Sequence, residues 1–301
     1  EVGSSNYWII GGLAKIYVHN GSSWTDITRT SGGDYSATAK EGWTSTVLGG
    51  VLIMANGFDD PQFWALSSGV PSTSTKMADL SNWPASTEAY SVRAFRSFLI
   101  ALNIKVSSVP YPRVVKWSTE AATQAVPTSW DETSATVDAG EYELADTKGK
   151  ILDGLPLGDT FMIYKEDSTY SMSYVGTPFI FSFRQLSPTI GALSKNCVAE
   201  FDGGHFIFGN GDLYINNGQR IQSLLPHKMR DYIFGNIHGT NYEKSFVVAD
   251  YANTEMWACY VSSGNSYGQC DKALVYNWVN QTLTERDIPN LGFIGYGTQS
   301  D

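Results

Sequence analysis

The sequence predicts an all-β protein, a β-propeller of about six blades. Three observations carry this reading. Helical periodicity is nearly absent along the 301 residues. Short apolar runs separated by turn signals fill the chain, the pattern of a sandwich, barrel or propeller. Comparable strand–turn–strand units return at roughly 40 to 50 residues, the range of propeller blades. Composition agrees: Gly (29), Tyr (17), Phe (14) and Trp (9) favour strands and turns. Residues 1–301 are read as one propeller body, with a pair of β-sandwich domains as the alternative.

The units follow in order. "YWIIGGLAKIYVHNGSSWTDITR" (Tyr7 to Arg29) reads strand, turn, strand, Asn20-Gly21, strand. Ile16 and Val18 share one face of its second strand, and Tyr17 and His19 the other. Asn-Gly supplies the positive φ that a tight hairpin needs, and Trp24 beyond it is expected to pack on the next blade. "STVLGGVLIMANGFDDPQFWAL" (Ser45 to Leu66) repeats this plan with Asn56-Gly57 and Trp64. "RSFLIALNI" (Arg96 to Ile104) leads through a Pro-containing loop to "PRVVKWSTEA". "GDTFMIYKEDSTYSMSYV" (Gly158 to Val175) is a further hairpin. "GGHFIFGNGDLYINNGQRIQSLLP" (Gly203 to Pro226) carries two turns, Asn210-Gly211 and Asn217-Gly218. "KSFVVADYANTEMWACYV" and "KALVYNWVNQTLTERDIP" complete the series. Helical turns are expected only at Lys76–Asn82 and Pro226–Phe234.

Charge and composition exclude several classes. The net charge of -10 argues against a tight grip on nucleic acid, which needs Lys and Arg to displace counterions. It suits a surface that DNA passes without sticking. The best apolar run, "TVLGGVLIMA", is far short of the roughly 18 residues a spanning helix needs. No signal peptide is visible at the opening "EVGSSNYWII", and the chain reads as a segment of a longer protein. Cys197, Cys259 and Cys270 are odd in number, poor grounds for a disulfide framework. Reduced thiols are expected, although a hairpin could bring Cys259 and Cys270 together.

Candidate chemistry is sparse. His19, His205, His227 and His238 show no zinc-ligand spacing; His205, in the aromatic strand "GGHFIFG", reads as structural and His19 as solvated. No nucleophile elbow and no phosphate-binding loop occurs. Three acidic pairs, Asp59-Asp60, Asp131-Glu132 and Glu166-Asp167, could in principle supply paired carboxylates facing across a sugar, but they read as acidic turns. "HNGSSWTD" is loosely similar to the Asp-box of sialidase-type propellers but lacks its Ser and Asp. Sequons stand at Asn20 and Asn280 and are expected to be unused. No catalytic, cofactor-binding or metal-binding residue is assigned, and no enzyme activity is expected.

A longer pattern runs from near Tyr90 to Pro289. In order it contains "KWS…SWD" (Lys116 to Ser118, then Ser129 to Asp131), "PLGD" (Pro156 to Asp159), "YKEDSTYSM" (Tyr164 to Met172), "GALS" (Gly191 to Ser194), "HFIFG…DLYINNGQ" and "YNW". In order and spacing this region, about 90–289, resembles the tail nozzle proteins of short-tailed bacteriophages, also called tubular tail protein B or tail stabilisation proteins. The resemblance implies a structural virion protein with a propeller body, made in the host cytoplasm and placed in the tail. It implies a homo-oligomer, a hexameric ring docked on a portal-side tail adaptor protein and carrying tail fibres or spikes. Double-stranded DNA would be retained by the tube and then conducted through it without specific binding, with the host envelope as a further contact. No catalytic residue comes with the resemblance. Against that family, the sequence is expected to lack segments outside the propeller, notably an N-terminal region and inserted domains. A polysaccharide-directed or receptor-binding propeller is the alternative function.

Overall fold

The computed structural model describes residues 7–19, 21–65 and 74–295. Asn20 and Leu66 lie outside the described residues. The chain divides into two compact units, with the division between Asp146 and Thr147.

The first unit holds three antiparallel sheets. Sheet 1 is β1 (Trp8–Gly11), β2 (Ile16–His19) and β3 (Trp24–Asp26). Sheet 2 is β4 (Thr44–Leu48), β5 (Val51–Ala55), β6 (Gln62–Trp64) and β7 (Met77–Asp79). Sheet 3 is β8 (Thr87–Phe95), β9 (Phe98–Val106), β10 (Val109–Trp117) and β11 (Gly140–Glu143). The second unit holds three more. Sheet 4 is β12 (Ile151–Leu157), β13 (Thr160–Lys165), β14 (Thr169–Gly176) and β15 (Ile180–Ser187). Sheet 5 is β16 (Val198–Phe201), β17 (Gly204–Phe208), β18 (Leu213–Asn216) and β19 (Ile221–Ser223). Sheet 6 is β20 (Phe246–Asp250), β21 (Glu255–Tyr260), β22 (Cys270–Asn277) and β23 (Thr282–Leu291). Among the described residues each strand pairs with its sequence neighbours alone, so every sheet is a simple meander. The fold is an all-β, six-bladed β-propeller.

Burial explains the sequence pattern of the blades. In β5, Leu52 and Met54 join Ile16, Val18 and Ile27 of the first blade, together with Trp64. Val51, Ile53 and Ala55 point the other way, into a cluster with Ala89, Val92, Leu99 and Ala101 of sheet 3. A strand covered on both faces has no solvent side, so "VLIMA" is apolar throughout rather than alternating. β17, "GHFIF", is buried along its whole length for the same reason. Outer strands differ: β23 is exposed or half-buried at every residue.

Several expectations need correction. Lys76–Asn82 is not helical; it contains β7, which pairs with β6 through Trp64 and Met77. The second helical expectation holds, as α1 (His227–Gly235). Trp24 does not pack on the next blade: it sits on the outer strand of sheet 1, 49% exposed, against the His19 ring at 4.8 Å. Trp64 does bridge blades, but to the preceding one; it is fully buried and donates Nε1–H to the Thr75 carbonyl at 2.9 Å.

The Pro-containing loop is also strand. β9 and β10 join through a two-residue turn, Ser107-Ser108, with φ of 49° and 69°. Val109, Pro110 and Tyr111 pair with Val106, Lys105 and Ile104. A bulge follows before Val115 meets Leu102. Proline is tolerated because β11 pairs only with Val114–Trp117, leaving the other side of Pro110 and Pro112 without a strand to serve.

Candidate functional site

The residues singled out by sequence do not converge. His205 is fully buried in β17 and bridges two groups. Its Nε2–H donates to the Pro156 carbonyl at 2.8 Å, and its Nδ1 accepts from the Tyr164 hydroxyl at 2.7 Å. A carbonyl can only accept, which fixes the tautomer. Burial pushes the His205 pKa down to about 4, against the opposing pull of Pro156 and Asp153. The ring is a neutral structural link. His19 Nδ1 accepts from the Gly21 amide, and His238 Nδ1 from the Thr240 and Asn241 amides. His227 is exposed, 3.9 Å from Asp231. Among the described residues no group of three or more His, Cys, Asp or Glu is placed to hold a metal ion. Cys197, Cys259 and Cys270 are free, buried thiols; burial raises Cys197 and Cys259 to about 12 and pushes Cys270 up as well.

The three acidic pairs go to three different places. Asp59 is taken up by Arg29 at 2.8 Å, the Asn56 side chain and the Ser36 amide. Asp60 beside it is raised by burial and then by the Asp79 charge. Asp167 accepts from the Gly149 amide at 2.8 Å and from Ser168, while Glu166 lies 3.6 Å from Lys150; both border a smaller hollow of about 350 Å³ in the second unit. Asp131-Glu132 opens onto a larger cleft.

That cleft, of about 660 Å³, lies in the first unit between sheet 3 and the loop from Ser118 to Ala139. The loop is folded back by the Thr119 amide, which donates to the Ser129 carbonyl at 2.9 Å, and by Trp117 Nε1–H, which donates to Asp138 O at 2.9 Å. This closure brings "KWS" and "SWD" together. Lys116 is 4% exposed at the base of the cleft, and its ammonium donates to Glu132 Oε2 at 2.5 Å and Glu141 Oε2 at 3.0 Å. Burial alone would raise the Glu132 carboxyl. The hydrogen bond and charge of Lys116 outweigh it and hold Glu132 below the usual carboxylate range. Asp131 is lowered too, first by the Thr133 hydroxyl and then by its amide. Ile104, Val106 and Val114 form an apolar wall, and Tyr111 stands over it, 45% exposed. Trp130 is 2% exposed and packs edge-on to Trp83 at 4.6 Å; its Nε1–H finds no acceptor among the described residues.

Chemically, Glu132 and Glu141 share one ammonium, and Glu132 holds no proton near neutral pH. General-acid work on a glycosidic oxygen needs a carboxyl whose pKa is raised, so Glu132 suits binding better than proton transfer. Sequence reasoning reached Asp131 and Glu132, and it quoted Lys116 and Trp130 within motifs. It missed Glu141 and Tyr111, which follow no motif.

No family model matches the chain, and no curated protein matches it. Solved structures do. A crystal structure of a protein from Lactobacillus plantarum superposes with a TM-score of 0.53 at 10% identity, over 91% of this chain and 80% of that one. The AfRom2 CNH domain gives 0.47 at 10% identity, over 94% and 81%. The Hsv2 protein of Kluyvelomyces marxianus gives 0.44 at 9% identity, over 81% of this chain and 60% of that one. At such identities the likeness to the first extends to the fold and no further.

Proposed function

We propose that the chain is a tail nozzle subunit of a short-tailed bacteriophage, a structural virion protein that forms a hexameric ring on a portal-side tail adaptor and conducts double-stranded DNA. One observation supports the reading: the ordered motifs by which residues 90–289 resemble that family shape the blades. "PLGD" makes the β12–β13 turn, with Gly158 at φ 58°. "YKEDSTYSM" is the β13–β14 hairpin. "GALS" seats Gly191 against the backbone of Lys165 and Glu166, where a Cβ would lie 2.1 Å from the Lys165 carbonyl oxygen. "HFIFG…DLYINNGQ" supplies β17, β18 and their turns. A sequence pattern spent on turns and close backbone contacts is what a building block requires. The net charge of -10 is compatible with a wall that does not trap a polyanion, and a closed ring would use two different surfaces of each subunit.

Native mass spectrometry of the full-length protein, alone and with its portal-side adaptor, tests the proposal. A hexamer, or a hexamer formed only on the adaptor, is the expected result. A persistent monomer in both samples overturns the ring. Turnover of capsule or lipopolysaccharide sugars by the isolated chain would overturn a purely structural role.

A further inference from the structure

We infer that the cleft of sheet 3 is a binding site for a neutral oligosaccharide. The inference does not depend on the nozzle reading, since it concerns one sheet and its loop. Its volume of about 660 Å³ falls in the usual range for small-molecule sites, roughly 300–1,000 Å³. The decisive feature is the mixture of polar groups. Glu132 and Glu141 each bind Lys116 through Oε2, which leaves Oε1 of each as an acceptor. Lys116 keeps a third N–H, and the buried Trp130 indole N–H has no acceptor. A sugar hydroxyl both donates and accepts, so it can serve both kinds of group at once. A small anion would meet three carboxylates, and a small cation would meet the ammonium at the base. Tyr111 adds an exposed aromatic face beside the apolar wall of Ile104, Val106 and Val114, where the C–H face of a pyranose can lie. Lys116 holds the Glu132 carboxyl below the usual range, which suits it to accept from a sugar hydroxyl rather than to protonate a glycosidic oxygen.

The buried, unpartnered Trp130 N–H distinguishes this cleft from a merely acidic surface. Trp130 lines the cleft, and a sugar hydroxyl that reaches its Nε1–H, now covered by neighbouring side chains, would give that donor the acceptor it lacks. Glu141 and Tyr111 are exposed enough to be changed without loss of the fold.

The test is saturation-transfer NMR and titration calorimetry on the whole chain with maltotriose, cellotriose, mannotriose and chitotriose, and with spermidine as a cationic probe. At least one trisaccharide is expected to bind. Tyr111→Ala and Glu141→Gln should each weaken it by about tenfold or more in chains whose circular dichroism shows the fold retained. Failure of all four sugars overturns the proposal. So does sugar binding that both variants leave intact, because it would lie elsewhere. Spermidine binding that is lost in Glu141→Gln, with no sugar bound, would make the cleft a cation site instead.

Discussion

At the residue scale, His205 links protonation to stability. Its folded pKa of about 4 lies below the unfolded value near 6.5. Between these values the unfolded chain binds the extra proton, so stability is complete above about pH 6.5 and is lost as pH falls towards 4. The shift corresponds to something on the order of 3 kcal/mol. Urea unfolding at about pH 7 and pH 4.5 should show this loss, and His205→Gln should flatten the pH dependence over that interval. A wild-type slope no steeper than the variant's would refute the assignment. The second residue is Gly191, whose missing Cβ makes room for the carbonyl of Lys165. Backbone cannot swing aside as a side chain can. Gly191→Ala is therefore expected to cost about 3 kcal/mol, at the upper end for overpacking, measured by the same unfolding experiment.

At the element scale, blades are joined by buried ions and shaped by turns. Arg29, beyond β3, reaches Asp59 at 2.8 Å and Asp79 at 3.1 Å in sheet 2, and Tyr35 donates to Gln62 at 3.1 Å alongside. Arg29 and Asp59 are both largely shielded from solvent. Removing one partner of such a pair strands the other charge, so Arg29→Met should lose about 3–5 kcal/mol. Arg29→Met with Asp59→Leu should recover part of this in thermal unfolding. The Ser107-Ser108 turn points the opposite way. Both residues hold positive φ, where Asn and Gly are favoured, so Ser107→Asn with Ser108→Gly should raise the melting temperature by about 2–4 °C.

The same elements explain what the sequence made legible. Middle strands such as Val51–Ala55 and Gly204–Phe208 announce themselves because burial on both faces leaves only apolar residues. Outer strands do not. Met77–Asp79 takes its conformation from pairing with β6, and its own residues carry little β preference. Pro110 and Pro112 read as loop, since nothing local reveals that β11 stops short of them. The cleft was half legible. Asp131-Glu132 is visible as an acidic pair, but the irregular loop that carries it back to Lys116 has no period from which a contact can be read.

At the scale of the whole molecule, charge sets behaviour towards DNA. With a net charge of -10, the chain should show no binding to a short duplex at physiological salt up to about 100 µM, the weak limit for non-specific binders. Fluorescence anisotropy checks this, and micromolar binding would count against a passive conduit wall. The order of the strands has a consequence of another kind. Among the described residues every sheet is a run of consecutive strands, so these strands leave the ribosome next to their partners. A unit of roughly 40 to 50 residues leaves the ribosome in a few seconds, at about 5–20 residues per second. The nascent chain can close one blade before the next is translated, and bare sheet edges that would invite aggregation are exposed only for that interval. Direction of synthesis then becomes direction of folding.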